Sequence, residues 1–465
     1  MAVACGQLFT LVATEDGDMY TFGMCRTFAQ YTHDTFEPRL MDHLTSFGGE
    51  EVAMVAAFGE NGAVVTKQGS LWNWGPDYGT GRVGSGIGRI GSDFFGSGVV
   101  MVACGSKSSI VLTAGGRVWT CGKNDSFTTQ AMILNEFRLV GPERFNGRKI
   151  VMVASGGMHK MAVDEDGILW TWGDNFMGEL CWLPDSIVGG STAPHPIAIA
   201  SAKFDGEKVV HVAGGVRYTM VVTENGTLWA CGLGRNGEMG IGTAQQTNVL
   251  IRVGGRDIFG GRGVRMTSCG CTHTLIVGTD GRVWACGSAY HFALGTGDMF
   301  QSYPTTDCYV PTLLPDTDSF TNGNVMTVSA GGKHSVAVMY DGTVYTWGRY
   351  EFYAEDFYGI QTAQVVGTGH HTNKRVPTRL NPTLFNRARI GHWHKRSWLD
   401  AHQEHALAAA MGTHPRLGEH SALSSTPSDI IQRCLDEDMR FKPRYSAGLL
   451  ALMGLGGTPP HAHTP

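Results

Sequence analysis

The chain has 465 residues, of which 42% are hydrophobic and 17% charged, with a formal net charge of −5. This balance excludes an intrinsically disordered chain and a polycation that coats nucleic acid or anionic membrane, and it supplies ample apolar surface for a core. Sixty-five glycines without a three-residue period exclude a collagen-like chain and imply many tight turns between short strands.

The first residues, "MAVACGQLFTLVATEDGDMY", read as strand and contain no basic stretch followed by an apolar one, so no secretory signal is expected. A turn glycine at Gly17 is followed six residues later by Gly23 and preceded eleven residues earlier by Gly6. The spacing recurs around Gly69, Gly116, Gly167, Gly226, Gly281 and Gly342, closed by Gly75, Gly122, Gly173, Gly232, Gly287 and Gly348. The leading glycine is kept at Gly105, Gly156, Gly215, Gly270 and Gly331, and Phe58 replaces it in the second copy. Stretches such as "HKMAVDEDGILWTWG" and "HSVAVMYDGTVYTWG" alternate on either side of an Asp-Gly turn, which is the pattern of a hairpin. Runs such as "KIVMVASGG" precede the hairpins as strands buried on both faces, and "VPTLL" or "VPTRL" supplies a weaker fourth strand. Four strands per unit, with 47 to 61 residues between turn glycines, predict an all-β, seven-bladed propeller over residues 1–385. A closed ring of this kind needs no second copy and is expected to be monomeric.

Several stretches depart from the repeat. "GTGRVGSGIGRIG" (79–91) has glycine spacings of a phosphate-binding loop without the strand–helix context, and is assigned as an inter-strand loop. "CWLPDSIVGGSTAPHPIAI" (181–199) is expected to be an irregular, Pro-rich excursion. Cys269 and Cys271 lie at alternate strand positions and lack a partner pair at zinc spacing. "RYEFYAEDFYGIQ" (349–361) combines Tyr350, Phe352, Tyr353, Phe357 and Tyr358 with acids, either as a protein-binding anchor or as a loop folded on its own blade. Residues 374–396 hold seven basic residues and no acid: Lys374, Arg375, Arg379, Arg387, Arg389, Lys395 and Arg396, with Trp393 among them. That segment reads as the last outer strand and a solvated strap, or as a binding site for nucleic acid or an acidic partner.

A C-terminal strap and helix are expected over residues 386–456. The helix is placed at "PSDIIQRCLDEDMRF" (427–441), with Ile430, Ile431, Leu435 and Met439 on its apolar face. His392, His394, His402 and His405 form no convincing metal set, and "AGLLALMGLGG" (447–457) is about half the ~20 residues a membrane helix needs. Residues 457–465 read as a disordered tail.

Taken together, V-A-x-G-x-x-H-T/S, then D/E-G-x-L/V-W/Y-x-W/C-G, then G-E-L/M as in "GDNFMGEL" and "GRNGEMG" resembles the regulator of chromosome condensation repeat, across all seven units. The resemblance implies a seven-bladed propeller. It also implies a choice of functions, since the family includes an exchange factor for a Ran-type small GTPase that docks on nucleosomes, ubiquitin-ligase modules and non-catalytic scaffolds.

His159, His273 and His334 share one repeat position with Phe9, Asn61, Ser108 and Tyr218, so they are expected to hydrogen-bond a neighbouring blade's backbone rather than to catalyse. Cys121, Cys231 and Cys286 stand where other copies carry Trp and are expected to be small buried hydrophobes. An odd total of eleven cysteines favours a reducing compartment, intracellular and either cytoplasmic or nuclear. No catalytic residue, metal or cofactor is assigned. Strand direction reverses at each turn, so the loop before the histidine position and the segment after the closing glycine emerge on one face. Lys107, Arg217, Lys333 and the aromatics of 349–361 are therefore assigned to an interaction face. The leading expectation is a non-catalytic scaffold for a protein partner. The alternatives are nucleotide exchange on a small GTPase and association with chromatin or nucleic acid through 374–396.

Overall fold

In the computed structural model of the chain, the described residues are 2–23, 35–41, 43–75, 87–122, 134–182, 192–297, 307–316, 320, 324–349, 351–356, 359–364, 366–368 and 372–381. They form seven four-stranded antiparallel sheets, each pairing its strands in chain order. Blade 1 runs through Ala2–Cys5, Phe9–Ala13, Met19–Gly23 and Thr35–Met41. Blades 2 to 6 begin with Val52–Phe58, Val99–Cys104, Ile150–Ser155, Val209–Gly214 and Val264–Cys269, and end with Gly88–Ile90, Leu134–Val140, Thr192–Ile199, Gln246–Arg252 and Cys308–Leu313. Blade 7 uses Val325–Ala330, His334–Met339, Val344–Gly348 and Lys374–Arg379. The strap, helix and tail expected beyond residue 385 lie outside the described residues.

The repeat glycines do two separate jobs. All seven turn glycines have φ between 73° and 83°, the left-handed region that a tight hairpin turn requires. Four of their carbonyls also reach the next blade: Val52 N–H donates to Gly17, Val99 to Gly69, Val209 to Gly167 and Val264 to Gly226, at 2.8 to 2.9 Å. The turn therefore sets the spacing between neighbouring blades as well as the hairpin. The leading glycine lies under the ring of the residue three positions on: a Cβ on Gly156 would strike the His159 ring, and one on Gly215 the Tyr218 ring. In blade 2 both partners change together, Phe58 for the glycine and Asn61 for the ring.

The core lies between blades rather than within them. One cluster joins Cys5, Val12, Tyr20 and Phe22 of blade 1 to Val336, Val338, Val344 and Leu380 of blade 7, and so closes the ring. A second element recurs that the glycine alignment does not reveal. Buried Phe47, Phe95, Phe145, Phe204, Phe259 and Phe320 precede six successive blades and pack edge-on against Trp72, Trp119, Trp170, Trp229, Trp284 and Tyr345. Phe145, Phe204 and Phe259 each end a short 3-10 turn, Pro142–Phe145, Ser201–Phe204 and Arg256–Phe259, which aims the ring inward. Burying such a ring contributes roughly 1.5–3 kcal/mol.

Two expectations are corrected. Within 181–199, the Pro-rich half is the regular outer strand Thr192–Ile199, because an edge strand leaves one row of N–H groups unpaired and so tolerates Pro194 and Pro196. Within 349–361, Glu351–Asp356 pairs with Gly359–Gln364 as a separate hairpin inserted between the third and fourth strands of blade 7. Its second strand approaches the third and fourth strands of blade 1, and Gly367 just beyond it packs on the Phe22 ring.

Candidate functional site

At one end of blades 4 to 7 the two loops are tied by a backbone bond. Asp174 N–H donates to the Met158 carbonyl, Leu233 to Arg217, Ser288 to Thr272 and Arg349 to Lys333, at 2.8 to 3.0 Å. The loop before the histidine position and the segment after the closing glycine thus form one face.

Beneath this face runs a set of latches between blades. His159 Nε2 lies 2.9 Å from Thr219 Oγ1, and that hydroxyl donates to the Glu179 carbonyl at 2.7 Å. His273 Nε2 lies 2.8 Å from Ser335 Oγ, which donates to the Ala293 carbonyl at 2.7 Å. Because each hydroxyl spends its proton on a carbonyl, the imidazole Nε2–H must be the donor in these two pairs. His334 Nε2 meets Thr10 Oγ1 at 2.8 Å across the seam between blades 7 and 1. The expectation of bonds to neighbouring backbone is corrected in detail: the histidines reach hydroxyl side chains, while Tyr218 and Asn61 reach the carbonyls of His273 and Gly105. Burial pulls all three histidines down to about 3, so they are neutral struts at ordinary pH. In each case the Ser or Thr that follows the repeat position, whether that position holds His334, Tyr218 or Phe9, receives the histidine of the preceding blade.

The segment after the closing glycine follows one plan in blades 4 and 5. Glu179 is buried, and its carboxylate accepts the Met177 N–H at 2.7 Å. Glu238 is likewise buried and accepts the Asn236 N–H at 2.8 Å. Gly178 and Gly237, just before the acids, have φ of 87° and 86°. Burial pushes the Glu179 carboxyl up to about 6 and raises Glu238 as well.

Blade 6 departs from this plan. Phe292 occupies the glycine position with φ of 58°, and Ala293 replaces the acid. The Ala293 carbonyl accepts from Trp347 Nε1 at 2.8 Å as well as from Ser335. Tyr290 is 59% exposed and stands edge-on to His291 with ring centroids 4.6 Å apart. The Arg375 guanidinium lies over the Phe292 ring at 5.1 Å, and the Arg375 carbonyl accepts the Gly297 N–H at 3.0 Å.

Of the residues assigned from sequence, Lys107 is exposed and Arg217 and Lys333 are half-buried, each in the loop between the first and second strands of its blade. Lys374, Arg375 and Arg379 lie on the outer strand of blade 7. Phe352 and Tyr353 lie on the inserted hairpin, whereas Tyr350, Phe357, Tyr358, Arg387, Arg389, Trp393, Lys395 and Arg396 lie outside the described residues. Tyr290, His291, Phe292 and Arg349 were missed by the sequence. Aligning the segments on the closing glycine would have exposed the Phe in a glycine position.

Cys121, Cys231 and Cys286 are fully buried as expected. Cys231, however, is joined by a disulfide to Cys181, with Cα atoms 5.4 Å apart, so it is no simple apolar filler. The bond is possible because the blade 4 segment brings Cys181 onto the third strand of blade 5 (Leu228–Leu233), a proximity that sequence spacing cannot reveal. Burial pushes the Cys269 and Cys271 thiols up to about 12 and about 11, which disfavours the thiolate that a metal would need. Among the described residues no helix is long and apolar enough to cross a membrane.

Comparison with known proteins bears on this face. A model of the regulator of chromosome condensation (RCC1) repeat matches residues 280–338, and a second model of the same repeat matches 99–127, 209–238 and 327–352. The chain is 29% identical over 253 residues to the ultraviolet-B receptor UVR8 of Arabidopsis thaliana, covering 53% of this chain and 56% of that protein. It is 27% identical over 250 residues to the guanine nucleotide exchange factor SRM1 of Saccharomyces cerevisiae, covering 51% of this chain and 47% of that protein. The chain spans about half or less of the length of the curated relatives it matches. Among solved structures, Saccharomyces cerevisiae Prp20p, described with its binding properties to Gsp1p and histones, superposes with a TM-score of 0.62 at 21% identity, covering 81% of this chain and 86% of that one. That likeness shows the fold.

Proposed function

Because this chain belongs to the regulator of chromosome condensation repeat family, we propose that it is a non-catalytic scaffold that binds a protein partner through its loop face. One observation carries this reading. The repeated polar residues that could serve acid–base chemistry are consumed in latches between blades, and the residues that break the repeat gather in the loops above them. A rigid ring with variable loops is the arrangement in which binding residues usually reside. Lys107, Arg217 and Lys333 are among the cationic residues assigned to that face.

A second reading, nucleotide exchange on a small GTPase, is favoured by the match to SRM1 and by the hairpin inserted in blade 7. Exchange requires no covalent catalyst, only a surface that remodels a phosphate site. A third, association with histones or nucleic acid, draws on Lys374, Arg375 and Arg379. The deciding experiment captures partners from native lysate and measures release of fluorescent GDP from any small GTPase recovered. A scaffold leaves the release rate unchanged at saturating protein; a hundredfold acceleration would replace the scaffold with an exchange factor.

A further inference from the structure

We propose that the blade 6 segment 288–297, together with Lys333, Arg349 and Arg375 of blade 7, is a docking site for a short acidic segment of a protein partner. This rests on the scaffold reading and names the chemistry of the partner.

The first support is strain without a structural need. In blades 4 and 5 the left-handed position is glycine, and any side chain there would press on backbone: a Cβ on Gly237 would lie 2.5 Å from the Cys308 carbonyl oxygen. Blade 6 places a phenylalanine at that position, with φ of 58°. A bulky residue there is a backbone outlier, and such strain collects at binding sites. Two hydrogen bonds hold the turn, Phe292 N–H to the Ala289 carbonyl and Gly295 N–H to the Phe292 carbonyl, at 3.2 and 3.1 Å. Below it, Trp347 and Ser335 fix the Ala293 carbonyl. The segment is built to stay in this shape.

The second support is charge. The bond from Arg349 N–H to the Lys333 carbonyl and the bond from Gly297 N–H to the Arg375 carbonyl bring three cationic residues around the segment. Burial, then the charges of Lys333 and Arg349, pull His291 down to about 4, so its ring is neutral and lies within the field of both. Its Nδ1 is buried and has no hydrogen-bond partner. Asp307, a carboxylate at this edge, is bonded to Ser288 and to the Ala289 amide, and burial raises its pKa.

The third support is shape. Tyr290 stands 59% exposed against the ring of His291, which feels the charges of Lys333 and Arg349, and the Arg375 guanidinium covers the Phe292 ring. An exposed tyrosine flanked by arginine and lysine is the composition of a binding hot spot, with carboxylates as the matching charge. A compact cluster suits a few carboxylates better than a long phosphate backbone, which a stripe of cations would track. The chain's net charge of −5 would also oppose a long polyanion, whereas a short one feels chiefly the local field.

The test is fluorescence anisotropy of a fluorescein-labelled octaglutamate peptide with the full chain. Lys333→Glu with Arg349→Glu is expected to weaken binding about tenfold or more. Lys203→Glu, on the opposite face, is expected to leave it unchanged. Phe292→Gly is expected to fold at least as stably and yet to bind several-fold more weakly, an outcome a merely structural loop would not give. Peptide binding that is absent, or undiminished in the double variant, overturns the proposal. A single-stranded DNA octamer that binds more tightly than the peptide and is lost in the double variant overturns it in favour of nucleic acid. If the peptide fails while charge reversal on the loop face still removes captured proteins, the acidic-segment proposal falls and the scaffold stands.

Discussion

Where blades 4 and 5 put a glycine and a buried glutamate after the closing glycine, blade 6 puts Phe292 and Ala293. In the first two segments the residue before the acid is a left-handed glycine and the acid accepts the turn's own amides, although blade 4 holds Cys181 at φ of 62° where the other two segments carry Gly240 and Gly295. The third accepts backbone strain and gives up the cap, while its carbonyl keeps the same latch to the next blade. Because the latch survives, the departure is confined to the surface. Rule-breaking that leaves the frame intact is better explained by what the surface binds than by what the frame needs.

The shared frame is tested by acid. His159, His273 and His334 are held to about 3 when folded and return to 6.5 when unfolded. Below pH 6.5 the unfolded chain therefore binds more protons, and stability falls as pH falls until about pH 3. Each histidine contributes about 1.4 kcal/mol per pH unit, so the three together should dominate a urea-denaturation series between pH 7 and pH 5. Glu179, raised to about 6, acts in the opposite sense between pH 4.5 and 6, and its single group is outweighed.

Transplanting the departure sharpens the contrast. Gly237→Phe in blade 5 should cost about 3 kcal/mol or more, since the new Cβ meets the Cys308 backbone rather than a yielding side chain. Denaturation midpoints of this variant and of Phe292→Gly should move in opposite directions.

The blade 4–5 seam carries a covalent tie in Cys181–Cys231. Cys181→Ser should lower stability by about 2–4 kcal/mol, and dithiothreitol should produce the same loss in the parent and none in the variant. The smallest effect is a gain: Phe292→Gly should stabilise by about 1 kcal/mol by relieving the left-handed phenylalanine. A loss there would show that blade 6 needs the ring for packing and would remove the contrast.

Much of the ring was legible because its constraints are local. The turn glycines, the alternating strands and the β-branched inner runs each follow from a fixed offset, and all seven sheets appear. The connector phenylalanines escape the alignment although their offset to the following turn glycine is nearly constant, because they stand before the inner strand, outside the hairpin on which the repeat is aligned. Segment 349–361 reads from its sequence as a protein-binding anchor or a loop on its own blade, because its aromatics and acids do not alternate cleanly, whereas its backbone pairs in regular register. The disulfide and the cationic cluster could not be read at all, since each joins segments from different blades. Lys107, Arg217 and Lys333 were placed by strand parity alone, which fixes a face but not a neighbour.

Proteins captured from native lysate by the parent chain should be compared with those captured by two charge-reversed forms. One carries Lys107→Glu, Arg217→Glu and Lys333→Glu on the loop face, and the other Lys149→Glu, Lys203→Glu and Lys208→Glu on the turn face. A scaffold working through its loops loses its partners in the first and keeps them in the second. Retention in the first with loss in the second would contradict that account and move the binding surface to the turns.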